Sequence, residues 1–210
     1  MKRKFFLLLT ICILSNSLYA INAKQIVKKV KQKYETLKSL KAHFKQEYKW
    51  ALAGETQTVE GVLLLKAGNK YRIETDTQII VTDGNIVWTY SKHNNQVIID
   101  YLTHSSENPL PKDLLFKYSE EFVPHFVKEE KIDGKKVYLL NLVPKDKEAF
   151  IVGMKIWVDA ESWLTVKIQQ TDLNDNVNTY IISKIEENID LPDRLFTFQI
   201  PPDAEVVDMR

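Results

Sequence analysis

The chain has 210 residues, of which 29 are basic, 28 are acidic and 44% are hydrophobic. A charge this close to neutral gives no general electrostatic basis for binding nucleic acid, which rests on neutralising phosphates with a cationic surface. The single cysteine, Cys12, cannot form an intrachain disulfide, so the protein must be held by its core, and the length suffices for that.

Lys2, Arg3 and Lys4 precede an apolar run from Phe5 to Leu14, which gives way to Ser15, Asn16 and Ser17 and reaches a small residue at Ala20. This is the pattern of a cleaved secretory signal. A membrane span needs about 20 consecutive apolar residues, and this run stops at half that length. Cleavage is predicted after Ala20, with Ala23 as the alternative, leaving residues 21–210 as one exported domain. Cys12 lies inside the leader behind Leu9-Thr10-Ile11, not behind the small residues that precede a lipidated cysteine. The leader removes three cations and no acid, so the remaining 26 basic and 28 acidic residues carry a net charge of about −2.

From Lys24 to Leu40 the apolar residues Ile26, Val27, Val30, Tyr34, Leu37 and Leu40 recur every three or four positions among lysines, which predicts one amphipathic helix. Its narrow apolar face, without Trp or Phe, suits packing on a sheet better than lying on a membrane. Short runs rich in Val, Ile, Leu, Thr, Tyr and Trp follow. They are divided by Ala53-Gly54, Ala67-Gly68-Asn69, Asp83-Gly84-Asn85, His93-Asn94-Asn95, Asp133-Gly134 and Asn174-Asp175-Asn176. These are turn residues that tolerate positive φ or bond their own backbone, so successive antiparallel strands are expected.

The stretch Ser105 to Phe126 carries Pro109, Pro111 and Pro124 and is read as one or two short helices. Alternation places Ile86, Trp88 and Tyr90 on one face, as it does Val97, Ile99 and Tyr101, then Met154, Ile156 and Val158, then Leu164, Val166 and Ile168. The tail from Leu191 to Arg210, with Pro201 and Pro202, cannot form a central strand at its prolines and is expected along the sheet edge.

Chemistry-bearing patterns are sparse. His43, His93, His104 and His125 form no H-x-H or H-E-x-x-H spacing, so no metal site is expected. There is no G-x-S-x-G elbow and no glycine-rich phosphate loop. The cluster Asp172, Asn174, Asp175 and Asn176 lacks the glycine and distal glutamate of a calcium loop and is read as a hairpin turn. Glu60 and Glu74 are available as an acid pair for a lipid hydrolase, but strand glutamates commonly face solvent. No enzymatic activity and no cofactor are expected.

The residues nevertheless form an ordered series. Phe44-x-Gln46, Gly61, Lys70-Tyr71-Arg72-Ile73, Val81-Thr82-Asp83-Gly84-Asn85-x-x-Trp88-x-Tyr90, Gln96-Val97, Pro109 to Leu115, Leu142-x-Pro144 and Phe196-x-Phe198-x-x-Pro201-Pro202 follow one another along the chain. The series resembles the LolA-type outer-membrane lipoprotein carriers across essentially the whole mature chain. The resemblance implies a mainly β protein with helices (α+β), an antiparallel half-open β-barrel with an N-terminal amphipathic helix and a short helical lid.

It further implies a periplasmic, monomeric carrier that receives acylated lipoproteins from an inner-membrane ABC transporter and delivers them to the outer membrane, possessing or lacking a dedicated receptor there. A lipid or glycolipid carrier and a lipoprotein-sensing domain of the same fold are the alternatives. Family members commonly carry Arg-Pro where this chain, aligned on Gly61 and Tyr71, has Ala67-Gly68, and the family's lid-latching role is not carried over to Arg72.

The residues expected to line the acyl cavity are Phe44, Leu63, Tyr71, Ile73, Trp88, Tyr90, Ile99, Ile156, Val158, Val166 and Ile168. Leu114, Leu115 and Phe116 are expected in the lid. Alternation identifies a face but not whether that face is packed or hollow, so an ordinary core is the competing reading of these positions.

Overall fold

The computed structural model describes residues 22–103 and 120–210. The leader and the lid residues Leu114, Leu115 and Phe116 lie outside the described residues.

One helix, α1 (Ala23–Thr36), precedes the sheet. Asn22 caps it: the Asn22 side chain accepts from the Gln25 N–H at 2.9 Å, and the Asn22 N–H donates back to the Gln25 side chain at 3.1 Å. The helix ends four residues before the predicted Leu40, because Lys38 and Ser39 are drawn into long-range bonds with Asn188 and Ile189. Its buried stripe is Ala23, Ile26, Val27, Val30 and Tyr34.

The strands are β1 (Ser39–Lys49), β2 (Thr56–Lys66), β3 (Lys70–Thr75), β4 (Gln78–Thr82), β5 (Ile86–Ser91), β6 (Gln96–Tyr101), β7 (Phe122–Ile132), β8 (Lys135–Pro144), β9 (Ile151–Asp159), β10 (Thr165–Asp172), β11 (Val177–Glu187) and β12 (Glu205–Asp208). They form one open sheet in the order β12-β6-β5-β4-β3-β2-β1-β11-β10-β9-β8-β7. Every pairing is antiparallel except that of β12 with β6. All six predicted turns fall between strands, and Gly68, Asn69, Asn95, Asp133, Gly134 and Asp175 take the positive φ that the turn chemistry anticipated. The predicted helix around Pro124 needs correction: Pro124 and Phe126 belong to β7. That strand ends the sheet, where alternate residues make no ladder bond and proline is tolerated.

Helix α1 lies on one face of the sheet, called inner here. Its stripe packs with Leu40, Ala42, Leu63, Leu65, Tyr71, Leu140, Ile156, Val158 and Ile168. Trp163, in the turn after β9, takes φ 62°, stacks on Tyr138 at 5.7 Å and lies 4.0 Å under the Lys29 ammonium, which pins the helix to the sheet. The opposite, outer face carries two further clusters. Leu64 packs with Leu191 and Phe196 of the tail, while Val137, Leu139 and Trp157 gather with Ile132 and Val166.

Candidate functional site: the inner face of the open sheet

Cross-strand pairing assigns each residue to a face, because directly opposed residues point the same way. Phe44 and Ala42 of β1 pair with Gly61 and Leu63 of β2, and that layer continues through Ile73 of β3, Ile80 of β4 and Thr89 of β5. On the other side Phe44 pairs with Ile182 and Gln46 with Tyr180, and from Tyr180 the layer runs through Ile168 and Ile156 to Leu140. The structure therefore brings together Phe44, Leu63, Tyr71, Ile73, Ile156, Val158 and Ile168, all in or against the cluster that includes α1.

Trp88, Tyr90, Ile99 and Val166 are not part of this layer. Trp88 pairs with Val81 and Ile99, and Tyr90 with Val97, all one residue out of phase with the inner layer. Tyr90 instead meets Phe198 of the tail at 5.4 Å between ring centres. Val166 is turned outward by a bulge between Thr165 and Lys167, where β10 carries an extra residue against β9, and it packs against Val137, Leu139 and Trp157. The inner face also includes Met154, which alternation sets beside Ile156 and Val158, the motif residue Leu142, and Tyr180, Ile182, Ile80, Leu140 and Phe122, the last five not singled out from the sequence. Tyr180 and Ile182 do alternate along β11, but a shift in register near Lys184 breaks the period before it is long enough to be convincing.

One close approach fixes the middle of this face. An added Cβ at Gly61 would overlap the Glu74 carbonyl oxygen and lie 2.8 Å from the Phe44 ring. Glycine here lets the aromatic ring lie across β2. Beyond Phe44 the floor becomes polar, and at its far end the Tyr48 hydroxyl donates to the buried Asp172 carboxylate at 3.4 Å. The Gln46 amide donates to Asn178 at 3.0 Å and to the Tyr180 hydroxyl at 3.1 Å, which also accepts from the Asn178 amide at 3.0 Å. Burial raises the Tyr180 phenol above its ordinary range, while the bonds from Asn178 and Gln46 pull the other way. Burial likewise raises Tyr71. Both phenols stay neutral near pH 7.

The inner positions of β1 to β5 carry Leu, Ala, Phe, Gln, Tyr, Val, Gly, Ile, Thr and Ser, and no charged side chain. Glu60 and Glu74, the candidate acid pair, face outward opposite Lys45 and beside Arg72, with Glu74 accepting from the Arg72 guanidinium at 2.9 Å. Such a face can hold an apolar chain and a few hydrogen bonds.

Cavities open at both ends of the face. One of about 320 Å³ lies between the end of α1 and the turn after β2, walled by Tyr34, Leu37, Leu65 and Tyr71, with Ala67 and Gly68 at its edge. The other, about 430 Å³, is lined by Gln46, Tyr48, Trp50, Gln57 and Val59.

The family model for the outer membrane lipoprotein carrier protein LolA matches residues 35–199, from the last turn of α1 into the tail. The chain belongs to the LolA family. An outer-membrane lipoprotein carrier protein of Glaesserella parasuis is 25% identical over 206 residues, covering 97% of this chain and 95% of that one. An uncharacterized protein of Methanocaldococcus jannaschii is 30% identical over 187 residues, covering 88% of this chain but 53% of its own, so this chain spans about half its length. Among solved structures, an uncharacterized conserved protein from Thermus thermophilus superposes with a TM-score of 0.61 over 89% of this chain and 98% of that one, at 13% identity, which establishes a shared fold. Of the LolA-like motif positions, Phe44, Gln46, Gly61, Tyr71 and Ile73 fall on the inner layer, while Trp88 and Tyr90 fall on the layer beneath the tail.

Proposed function

We propose that this protein is a periplasmic carrier that holds the acyl chains of lipoproteins against the inner face of its sheet and moves them from the inner to the outer membrane. The observation that carries the reading is the inner face, uncharged from β1 to β5 and apolar from Leu63 and Ile73 through Phe44 and Ile182 to Ile156, with one amphipathic helix laid on it. Membership of the LolA family supports the same role. Each buried methylene is worth about 0.8 kcal/mol, so a dozen of them keep an acyl chain out of water by roughly 10 kcal/mol. A carrier must surrender that energy at its destination. Packing its own apolar groups on the same wall when empty lowers the net affinity to a difference between two sets of contacts.

Phe44, Leu63, Tyr71, Ile73, Ile156, Val158 and Ile168 form the wall in this reading. Leu114, Leu115 and Phe116 are proposed as the lid. An inner-membrane ABC transporter supplies the cargo, and an outer-membrane acceptor, lipid or receptor, takes it. The leader is removed after Ala20, because that cut keeps Asn22 as the cap of α1 and keeps the buried Ala23, both of which a cut after Ala23 would remove.

The test is native mass spectrometry of the mature protein isolated gently from periplasm. One-to-one complexes with acylated lipoproteins are the expected result. Free lipid as the sole companion would move the assignment to a lipid carrier of the same fold, and a consistently empty protein would overturn both.

A further inference from the structure

We infer that the end of the sheet remote from the turn after β2 is a membrane-contacting edge, where Trp50, Leu52, Phe150 and Leu173 enter the interfacial layer of a lipid bilayer. Three connections meet at that end: β1 to β2, β10 to β11 and β8 to β9. Leu52, at the tip of the first, is 99% exposed, beside Trp50 at 44%, while Phe150 and Leu173 on the other two are 59% and 58% exposed. A lone exposed leucine is ordinary, but a group of large apolar side chains on neighbouring loops marks an interaction surface.

The loops are tied, not loose. The Trp50 N–H donates to the Glu55 carbonyl and the Gly54 N–H to the Trp50 carbonyl, both at 2.9 Å, which closes the tip on itself. The Ala51 N–H donates to the Asn176 side chain at 3.0 Å, and the Leu173 N–H to the Phe150 carbonyl at 3.0 Å. At the usual strand spacing, β1 to β9 spans about 15 Å, so the apolar groups form one ridge along the sheet end.

The character of the ridge selects the occupant. Leu52 protrudes, and a protruding tip suits a soft layer. The charges on and beside these loops, Lys49, Lys145 and Lys147 against Glu55, Asp146, Glu148 and Asp175, with Glu120 and Glu121 next to Lys145, leave an acidic excess. Attraction to anionic lipid therefore does not drive the contact, and the apolar groups carry it without a complementary charge. A bilayer interface needs none, and tryptophan partitions there through its amphipathic ring. The ridge is also continuous with the inner face: the Trp50 ring meets Tyr48 edge-on at 4.5 Å, and both line the cavity of about 430 Å³. Contact at this edge would place the mouth of that cavity on the membrane surface. The inference does not depend on which apolar cargo is carried.

The experiment is co-sedimentation of the cargo-free mature protein with phosphatidylcholine vesicles, with and without added phosphatidylglycerol, at low and high salt. Binding to pure phosphatidylcholine that survives high salt is expected, with a blue shift of tryptophan emission that disappears in Trp50→Phe. Leu52→Asp, at a position with no packing to lose, should lower the partition coefficient about tenfold while circular dichroism stays unchanged. Absence of binding, equal binding by Leu52→Asp, or binding that requires phosphatidylglycerol and vanishes in salt would each overturn the proposal, the last pointing to the lysines of α1. Lipoprotein loading is read separately by native mass spectrometry, so failure of the carrier reading and failure of this one are distinguishable.

Discussion

The inner and outer faces of β2 to β6 both carry apolar patches, but these are covered by different parts of the chain. Inside, Leu63, Leu65 and Tyr71 lie in the cluster formed with α1. Outside, Leu64 lies beneath Leu191 and the fully buried Phe196, Tyr90 meets Phe198, and β12 then closes the edge beside β6. The outer cover is bolted down. Lys66 donates to the Leu191 carbonyl at 2.6 Å, and Lys66 and Lys70 both hold the Asp193 carboxylate, at 2.7 and 2.9 Å. The inner cover is a helix that ends beside an open cavity. In the proposed reading the two faces therefore have different uses: the outer one is spent permanently on the tail, and the inner one is shared between the protein's own core and a ligand.

The largest expected effect tests the permanence of the outer cover. Phe196→Ala removes a fully buried ring and should destabilise the protein by about 3–5 kcal/mol in denaturant unfolding, with the affinity of the remaining folded protein for a fluorescent acyl probe changed less than twofold. A matching loss of probe affinity would merge the two faces into one functional unit.

Next comes Gly61→Ala, which should cost about 1–3 kcal/mol through overpacking, since the new methyl meets backbone at Glu74 as well as the Phe44 ring. Because Phe44 is displaced, probe binding should weaken too. Full affinity in this variant would remove Phe44 from the proposed wall.

The contrast is sharpest in a pair of aspartate substitutions. Ile73→Asp puts a charge on the inner face and should lower acyl-probe affinity at least tenfold, about 1.4 kcal/mol, while unfolding stays cooperative. Trp88→Asp, on the face beneath the tail, should weaken folding but leave probe affinity within twofold. The reverse order of affinities would mean that the acyl chain lies outside.

This pair also marks where the sequence stopped being informative. The helix, the six turns and the strand-rich run after it were legible because each rests on local chemistry: a spacing of three and four, a glycine or asparagine at positive φ, an alternation of two. The family was legible from motif order. Facing was not. Trp88, Tyr90 and Ile99 alternate as cleanly as Leu63 and Leu65, and alternation within a strand carries no sign that says which side is in. That sign comes from register across strands and from what covers each side, here a tail more than ninety residues further along the chain than β6. Val166 failed for a second reason, since the bulge against β9 breaks the period inside what reads as one unbroken alternation of Leu164, Val166 and Ile168.

The smallest effect concerns the bolt on the outer cover. Hydrogen bonds from Lys66 and Lys70, followed by their charges, hold the Asp193 carboxyl down at about 2 from an ordinary 3.8. A carboxyl whose pKa is lower in the folded state stabilises the fold fully above its unfolded value and loses that contribution as pH falls through its folded one, so the window lies between about 4 and 2. Asp193 is exposed, and screening by solvent and salt keeps the contribution modest. Asp193→Asn should therefore be slightly less stable than the parent at neutral pH, with the difference shrinking toward zero as the pH is lowered through that window and shrinking also with added salt. The inner face offers no counterpart, because no charged residue stands on it from β1 to β5. A difference that persisted unchanged at pH 2 would mean that Asp193 holds the tail through geometry and not through its charge, leaving Phe196 and Leu191 to keep the outer face closed.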